Sequence, residues 1–426
     1  MKGEGEYGLY GYRWVVLASF MLVAAVTQLM WLNYAPITSQ TQELMGVSEF
    51  KVVLLATMFP LVYIPVSIPA GFIIDRRGFR AAVLIGAVLT TAFSFLRLFA
   101  DNYVLVLLGM IGISVGQPFV LNSITKVVSS WFPTEESALA NGLGSLSLFL
   151  GMIVAMALTP PLLKAFGEGH IASLRWVVFI YSLVSLAALV LFALLARPRP
   201  PKPPRRTESE ALGEEVAIDL KALRALFGLH DFRLLCAVIF IGNGVFVGLM
   251  QLIEKILKPK GIETGTAGNI GAVMVLAGVV GCLVIPAISD RLMRRKPFLV
   301  LAAAAAAPTL FLIGVLRSSA HIFVVGGLLG FFLLSALPVL LALAEETTGA
   351  ALTGTATSVL LLLGNAGGVV ITLAMEGIKG AMGGVEGSFF WAMVFVALAF
   401  VAALFIALRI REGGKGMGKV EQRAGV

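Results

Sequence analysis

Charge is scarce in this chain of 426 residues: Asp, Glu, Lys and Arg make up 13%, about half the share in a soluble domain. With 58% hydrophobic residues and a mean hydropathy of +0.95, a soluble globule is excluded and a polytopic membrane protein is indicated. Only two cysteines occur, Cys236 and Cys282, both within apolar runs, so no disulfide framework is implied. Histidine is nearly absent; His170, His230 and His321 lie near predicted loops or helix ends, where none could serve as an axial ligand inside a membrane cavity. No phosphate-binding G-x-x-x-x-G-K-[ST] loop, nucleophile elbow, metal-ligand cluster or pair of midplane carboxylates is present. An enzyme is thus not expected, nor is a cofactor, and a primary pump would need a partner. The net charge of +8 reads as membrane topology rather than nucleic-acid binding.

What is present is a succession of apolar runs, each about 20 residues, the length that crosses a bilayer. They predict helices near 13–37, 50–74, 80–100, 103–130, 138–164 and 174–196, then near 232–256, 266–289, 297–316, 320–345, 351–376 and 387–409. The fold expected is all-α, with twelve transmembrane helices in two six-helix bundles, 1–196 and 232–426. A linker, 197–231, joins them. Its run Arg197-Pro-Arg-Pro-Pro-Lys-Pro-Pro cannot continue a helix, because successive prolines remove backbone donors. Val216, Leu220, Leu223, Leu226 and Phe227 then recur at helical spacing among Asp219, Lys221 and Arg224, which predicts an amphipathic helix at the cytoplasmic surface. The run from Trp14 to Pro36 is too long for a signal-peptide core and reads as a retained first helix.

Of the 32 lysines and arginines, 22 fall in segments on the side that carries both chain ends and nine on the other, with Lys126 inside a helix. Lys and Arg excess marks the cytoplasmic side, so both termini are expected there, in the cell membrane. An internal repeat supports the two halves. Asp75 recurs as Asp290 half a chain later, and Ala138-Leu139 to Gly151 recurs as Ala351-Leu352 to Gly364 at nearly the same offset.

The turn between the second and third helices, Gly71-x-x-x-Asp75-Arg76-Arg77-Gly78-x-Arg80, resembles the corresponding loop of major facilitator superfamily transporters. Its second copy is Asp290-Arg291-Leu-Met-Arg294-Arg295, with Met293 in the glycine's place. The resemblance implies alternating access by a monomeric carrier of a small organic solute in the lipid bilayer. It also implies a gate: Asp75 would cap the helix near Thr353 to Thr355, and Arg76 or Arg77 would meet Glu135 or Glu136. Asp75, Arg76, Arg77, Gly78, Arg80, Asp290 and Arg291 are the candidate gating residues. The competing reading is a solvated topology signal. A receptor or sensor on the same fold is the rival function, though the linker and tail carry no recognisable output domain.

Polar residues inside the runs mark the candidate solute contacts, because a buried polar group in hydrocarbon is costly and usually faces a cavity or another helix. Trp31, with Gln28 and Tyr34 at spacing three, is either a ring for a ligand or part of an interfacial belt. Gln117, Asn122 and Lys126 lie on the fourth helix; Lys126 either snorkels to water or lines the cavity. Asn243 and Asn365 interrupt the seventh and eleventh helices, while Gly367 and Gly368 suit close packing. Glu254 and Glu376 fall near helix ends, and no Asp or Glu occurs inside the first or fourth helix, which argues against proton coupling.

Trp31 within Gln-Leu-Met-Trp-Leu-Asn-Tyr, Gln117-x-Phe119-x-Leu121 with Lys126 and Trp131-Phe132, and Glu346-x-Thr348 with Gly354-Thr355 together resemble the feline leukaemia virus subgroup C receptor-related family. That family includes carriers associated with haem, choline and ethanolamine. The resemblance implies that Trp31 matches its first-helix tryptophan, and that Ser147 and Asn365 replace glutamines of its choline carriers. The seventh helix lacks their tyrosines, which leaves an aromatic cage for a quaternary ammonium incomplete.

Overall fold

A computed structural model describes residues 8–167, 169–202, 220–349, 352–382 and 388–411, and among these every regular element is helical. Helices are the outcome that a hydrocarbon solvent permits, since each backbone donor finds its acceptor within the same segment. The chain divides into two compact units, Met1–Glu215 and Val216–Val426.

The first unit holds α1 (Arg13–Leu32), α2 (Thr38–Met45), α3 (Glu49–Leu96), α4 (Tyr103–Leu121), α5 (Ile124–Trp131), α6 (Thr134–Ala165) and α7 (Ile171–Leu195). The second holds α8 (Leu220–Gly228), α9 (His230–Leu257), α10 (Thr264–Leu292), α11 (Lys296–Val315), α12 (Ser319–Thr348), α13 (Thr353–Ala381) and α14 (Ser388–Arg409). Among the described residues, eleven helical stretches are long and apolar enough to cross a membrane. One of them, α3, has 48 residues, roughly 72 Å by helical rise and more than twice a bilayer core. Gly78, at φ 78° and ψ 166°, breaks it into two arms, so twelve crossing segments result.

Two predicted helices are interrupted. The first run is expected to end at Pro36; instead α1 stops at Leu32, a short 3-10 turn covers Ala35–Ile37, and α2 carries on to Gly46, which is left-handed at φ 61°. Asn33, Tyr34, Thr38 and Thr41 in this extension are buried. The fourth run is likewise divided at Asn122 and Ser123 between α4 and α5, one turn after Pro118. Proline removes a backbone donor, and the ladder slackens beyond it.

The internal repeat reappears as geometry. A Cβ on Gly151 would come within 2.0 Å of the Ala25 carbonyl oxygen, and one on Gly367 within 2.0 Å of that of Phe240. Ala25 is related to Phe240 by the offset that relates Asp75 to Asp290, and Gly151 to Gly367 by one residue more, so the close approach pairs Gly151 with Gly367 rather than with Gly364, its counterpart in the sequence repeat. In each unit, therefore, the first and fifth crossings meet backbone to backbone across a glycine. The charged turns also match. Met293 is the counterpart of Gly78 in the repeat and is left-handed at φ 51°, the one non-glycine residue with positive φ among those described. A side chain there costs about 1 kcal/mol. Met293→Gly is expected to raise stability by about that amount, read as a higher melting temperature in detergent, because Met293 is exposed and its loss removes no packing.

In the linker, the amphipathic expectation falls partly outside the described residues. From Leu220 the helix is present, and Leu226 is buried with Leu235 and Leu343 while the rings of Phe227 and Phe232 pack edge to face. That helix is anchored on the second unit.

Candidate functional site

Pro60 lacks an N–H, so the carbonyl of Ala56, four residues earlier on the same helix, loses its helical donor. The indole Nε1 of Trp31 fills that place, donating to Ala56 O at 3.1 Å. Trp31 is buried, with its ring 6.4 Å from that of Phe59. This binds α1 to α3 and fixes the plane of the indole, leaving its faces rather than its N–H for any ligand. Gln28, one turn earlier, packs over Gly151 of α6; it is 2% exposed and its Oε1 has no partner. Gln117 on α4 is also buried.

At the break in the fourth crossing, Asn122 Oδ1 accepts from the Tyr63 hydroxyl at 2.7 Å and its Nδ2 donates to Ser67 Oγ at 3.0 Å. These bonds hold the broken segment against the proline-rich first arm of α3, which contains Pro60, Pro65 and Pro69. One turn beyond Asn122, Lys126 Nζ stands 3.8 Å from Asp75 Oδ1. The lysine reaches the charged turn, and its side chain is 39% exposed against 76% for Asp75.

Elsewhere the turn departs from expectation. Glu136 is engaged by Arg13 through two hydrogen bonds of 2.9 and 3.0 Å, rather than by Arg76 or Arg77, which are exposed. Arg13 already lies over the rings of Trp14 and Phe132, which places it for that pairing. Arg80 donates to the carbonyls of Ala196 and Ala193 at 2.6 and 3.0 Å, a cation on the orphan acceptors at the end of α7.

In the second unit, the charged turn is centred on Arg295 rather than Arg291, which is exposed. Arg295 binds Glu346 at 3.0 Å, Ser289 Oγ at 3.2 Å and the carboxylate of Asp290. Partial burial works to lower its pKa; the hydrogen bonds and charges of Asp290 and Glu346 outweigh that and raise it above the ordinary arginine value. Asn243 of α9 lies against Gly364 of α13, where a Cβ would come within 3.2 Å of its amide nitrogen. Asn365 Nδ2 donates to its own helix at Leu361 O, 2.9 Å, and so turns its spare capacity towards accepting. Glu254, expected near a helix end, is fully buried on α9 beside buried Gln251 and Lys255.

Two residues escape the sequence reading. Arg97, which lies near the end of the predicted helix 80–100 and counts among the nine cations on the side away from the chain ends, is 0% exposed at the end of α3. Arg295 stands in the second copy of the turn as the counterpart of Arg80, and the offset of the repeat is the signal that could have singled it out.

The profile of the Major Facilitator Superfamily matches residues 16–372. The choline/ethanolamine transporter flvcr2b of Danio rerio is 25% identical over 402 residues, covering 90% of this chain and 82% of that one. The choline/ethanolamine transporter FLVCR1 of Felis catus is 26% identical, covering 87% and 68%. Among solved structures, a bacterial homologue of the human lysosomal transporter Spinster superposes with a TM-score of 0.77 at 15% identity, covering 95% of this chain and all of that one. The Escherichia coli fucose:proton symporter gives 0.62 at 17%, covering 95% and 100%. These relatives are transporters, not enzymes, and they include the receptor-related carriers that the sequence resembles. The chain belongs to the Major Facilitator Superfamily and is a multi-pass carrier that moves a small organic solute by alternating access.

Proposed function

We propose that this carrier moves small primary amines of the ethanolamine kind across the cell membrane, as a monomer with both termini in the cytoplasm. The observation that carries the reading is the state of the polar groups on the candidate contacts. On the first unit, Trp31 has its N–H committed and offers ring faces, and Gln28 Oε1 one turn away is buried without a partner; on the second, taken by itself, Asn365 has used its amide donor and keeps an acceptor oxygen. A primary ammonium brings three N–H donors, which amide oxygens satisfy. A quaternary ammonium brings none and depends on surrounding ring faces. The relatives named as choline/ethanolamine transporters make amines the class to test first.

Trp31, Gln117 and Asn122 on the first unit, joined by Gln28 for its unpartnered oxygen, and Asn243 and Asn365 on the second, are the proposed solute contacts. Lys126 moves from that set to the latch it forms with Asp75. Uptake of radiolabelled ethanolamine into proteoliposomes tests the reading. Saturable uptake is expected, with choline competing about tenfold more weakly, the value of one hydrogen bond to a charged group. Choline carried equally well would overturn the choice of a primary amine.

The Asp75 to Lys126 pair is the proposed moving part of the gate, along with the neighbouring Arg76, Arg77, Gly78 and Arg80 and the second turn at Asp290, Arg291 and Arg295. Both members are too exposed to contribute much stability, about 0–1 kcal/mol. Asp75→Asn is therefore expected to slow uptake while leaving the melting temperature nearly unchanged. Uptake at the wild-type rate would return the turn to a topology signal alone.

A further inference from the structure

Arg97 is the one fully buried arginine among the described residues of the first unit, and its surroundings do not neutralise it. Room for it is made by Gly109 of α4, where a Cβ would come within 2.6 Å of its Cγ. Nη1 faces Asn33 Oδ1 and Met110 Sδ, both at 3.3 Å, and Nη2 faces Met30 Sδ at 2.8 Å. Thioether sulfurs are weak acceptors and carry no charge. Of the five N–H donors of a guanidinium, those three contacts leave two, and Nε is one of them, buried with no acceptor among the described residues.

The guanidinium carbon lies 5.5 Å over the ring of Tyr34, whose own hydroxyl is buried without a partner. Asp101, four residues after Arg97, is bound by Arg175, and Glu43 on α2 is exposed and makes no ion pair to Arg97. Among the described residues, Arg97 has no ion pair. The end of α1 at Asn33 contributes a partial negative charge of about half a unit, short of the whole unit that Arg97 carries.

We propose that Arg97 and Tyr34 form a binding site for a small inorganic anion of the chloride class within the first unit. The unused donors are the argument: an N–H pair on a cation, and the unpartnered O–H of the tyrosine whose ring that cation overlies, suit a monatomic anion. A phosphate or sulfate brings several oxygens, each needing donors of its own. The site lies where α1 gives way to the buried turn before α2, so an occupied site braces that break. It uses none of the solute contacts proposed above and does not depend on the solute's identity.

The test is the melting temperature of the purified full chain as sodium chloride replaces sodium gluconate at constant ionic strength. A saturable rise with chloride is expected. Tyr34→Phe should move half-saturation about tenfold higher, since it removes one hydrogen bond to the ion, and Arg97→Gln should abolish the chloride response. Because the Tyr34 hydroxyl has no protein partner, its removal leaves the fold intact and decides the matter even if Arg97→Gln does not fold. Identical melting in the two salts would overturn the proposal. So would a chloride effect that survives both substitutions.

Discussion

Gly151→Val is expected to abolish the folded carrier, seen as loss of the monodisperse peak in size-exclusion chromatography and loss of uptake. The first side-chain carbon would sit 2.0 Å from the Ala25 carbonyl oxygen and 2.9 Å from Gln28 Cβ. A flexible side chain could yield, but a helix backbone cannot yield without moving α1 as a whole. Overpacking of even adaptable cores costs about 1–3 kcal/mol, and a clash with fixed backbone on both helices exceeds that range. Gly367→Val should fail in the same way, because its Cβ would meet the Phe240 carbonyl at 2.0 Å in the repeated arrangement. Gly142→Val, elsewhere on α6 with nothing within 4 Å of its Cβ, is the control and should fold. Normal folding of Gly151→Val would mean that the first and fifth crossings do not approach as described.

Much of this architecture is written in the chain's solubility. Runs long enough to span hydrocarbon, separated by charges that hydrocarbon cannot hold, leave twelve helices as the outcome, and the repeat of Asp75 at Asp290 divides them into two sixes. The breaks at Asn33 and Asn122 are not legible. Both residues keep right-handed helical angles, so no left-handed glycine marks the place. Arg97 misleads for a related reason. A single arginine at the end of a run reads as a residue leaving the membrane, and only Gly109 on another helix reveals the space that buries it. Lys126 is visible as a charge inside a helix, yet its partner depends on the break that carries it towards Asp75. Glu136 shows the limit of reasoning by family turn alone, since the cation that reaches it, Arg13, comes from the start of α1.

The tryptophan, by contrast, is legible as a contact while its constraint is not, and that constraint sets the sharpest prediction. Trp31→Phe keeps an aromatic face but withdraws the N–H from Ala56, leaving a buried carbonyl without a donor, at a cost of about 1–3 kcal/mol. Pro60→Ala restores a backbone N–H four residues along, the donor that an uninterrupted helix would supply. The double variant should therefore be more stable than the sum of the single effects predicts, by about 1–2 kcal/mol, because both substitutions act on one carbonyl. Ethanolamine uptake separates the ring from the bond. Trp31→Ala, which removes the face as well, should lose uptake by at least about tenfold. Trp31→Phe combined with Pro60→Ala should recover most of it. If the double variant folds well and still carries nothing, the indole N–H itself contacts the solute during transport, and the bond to Ala56 is a resting place for it.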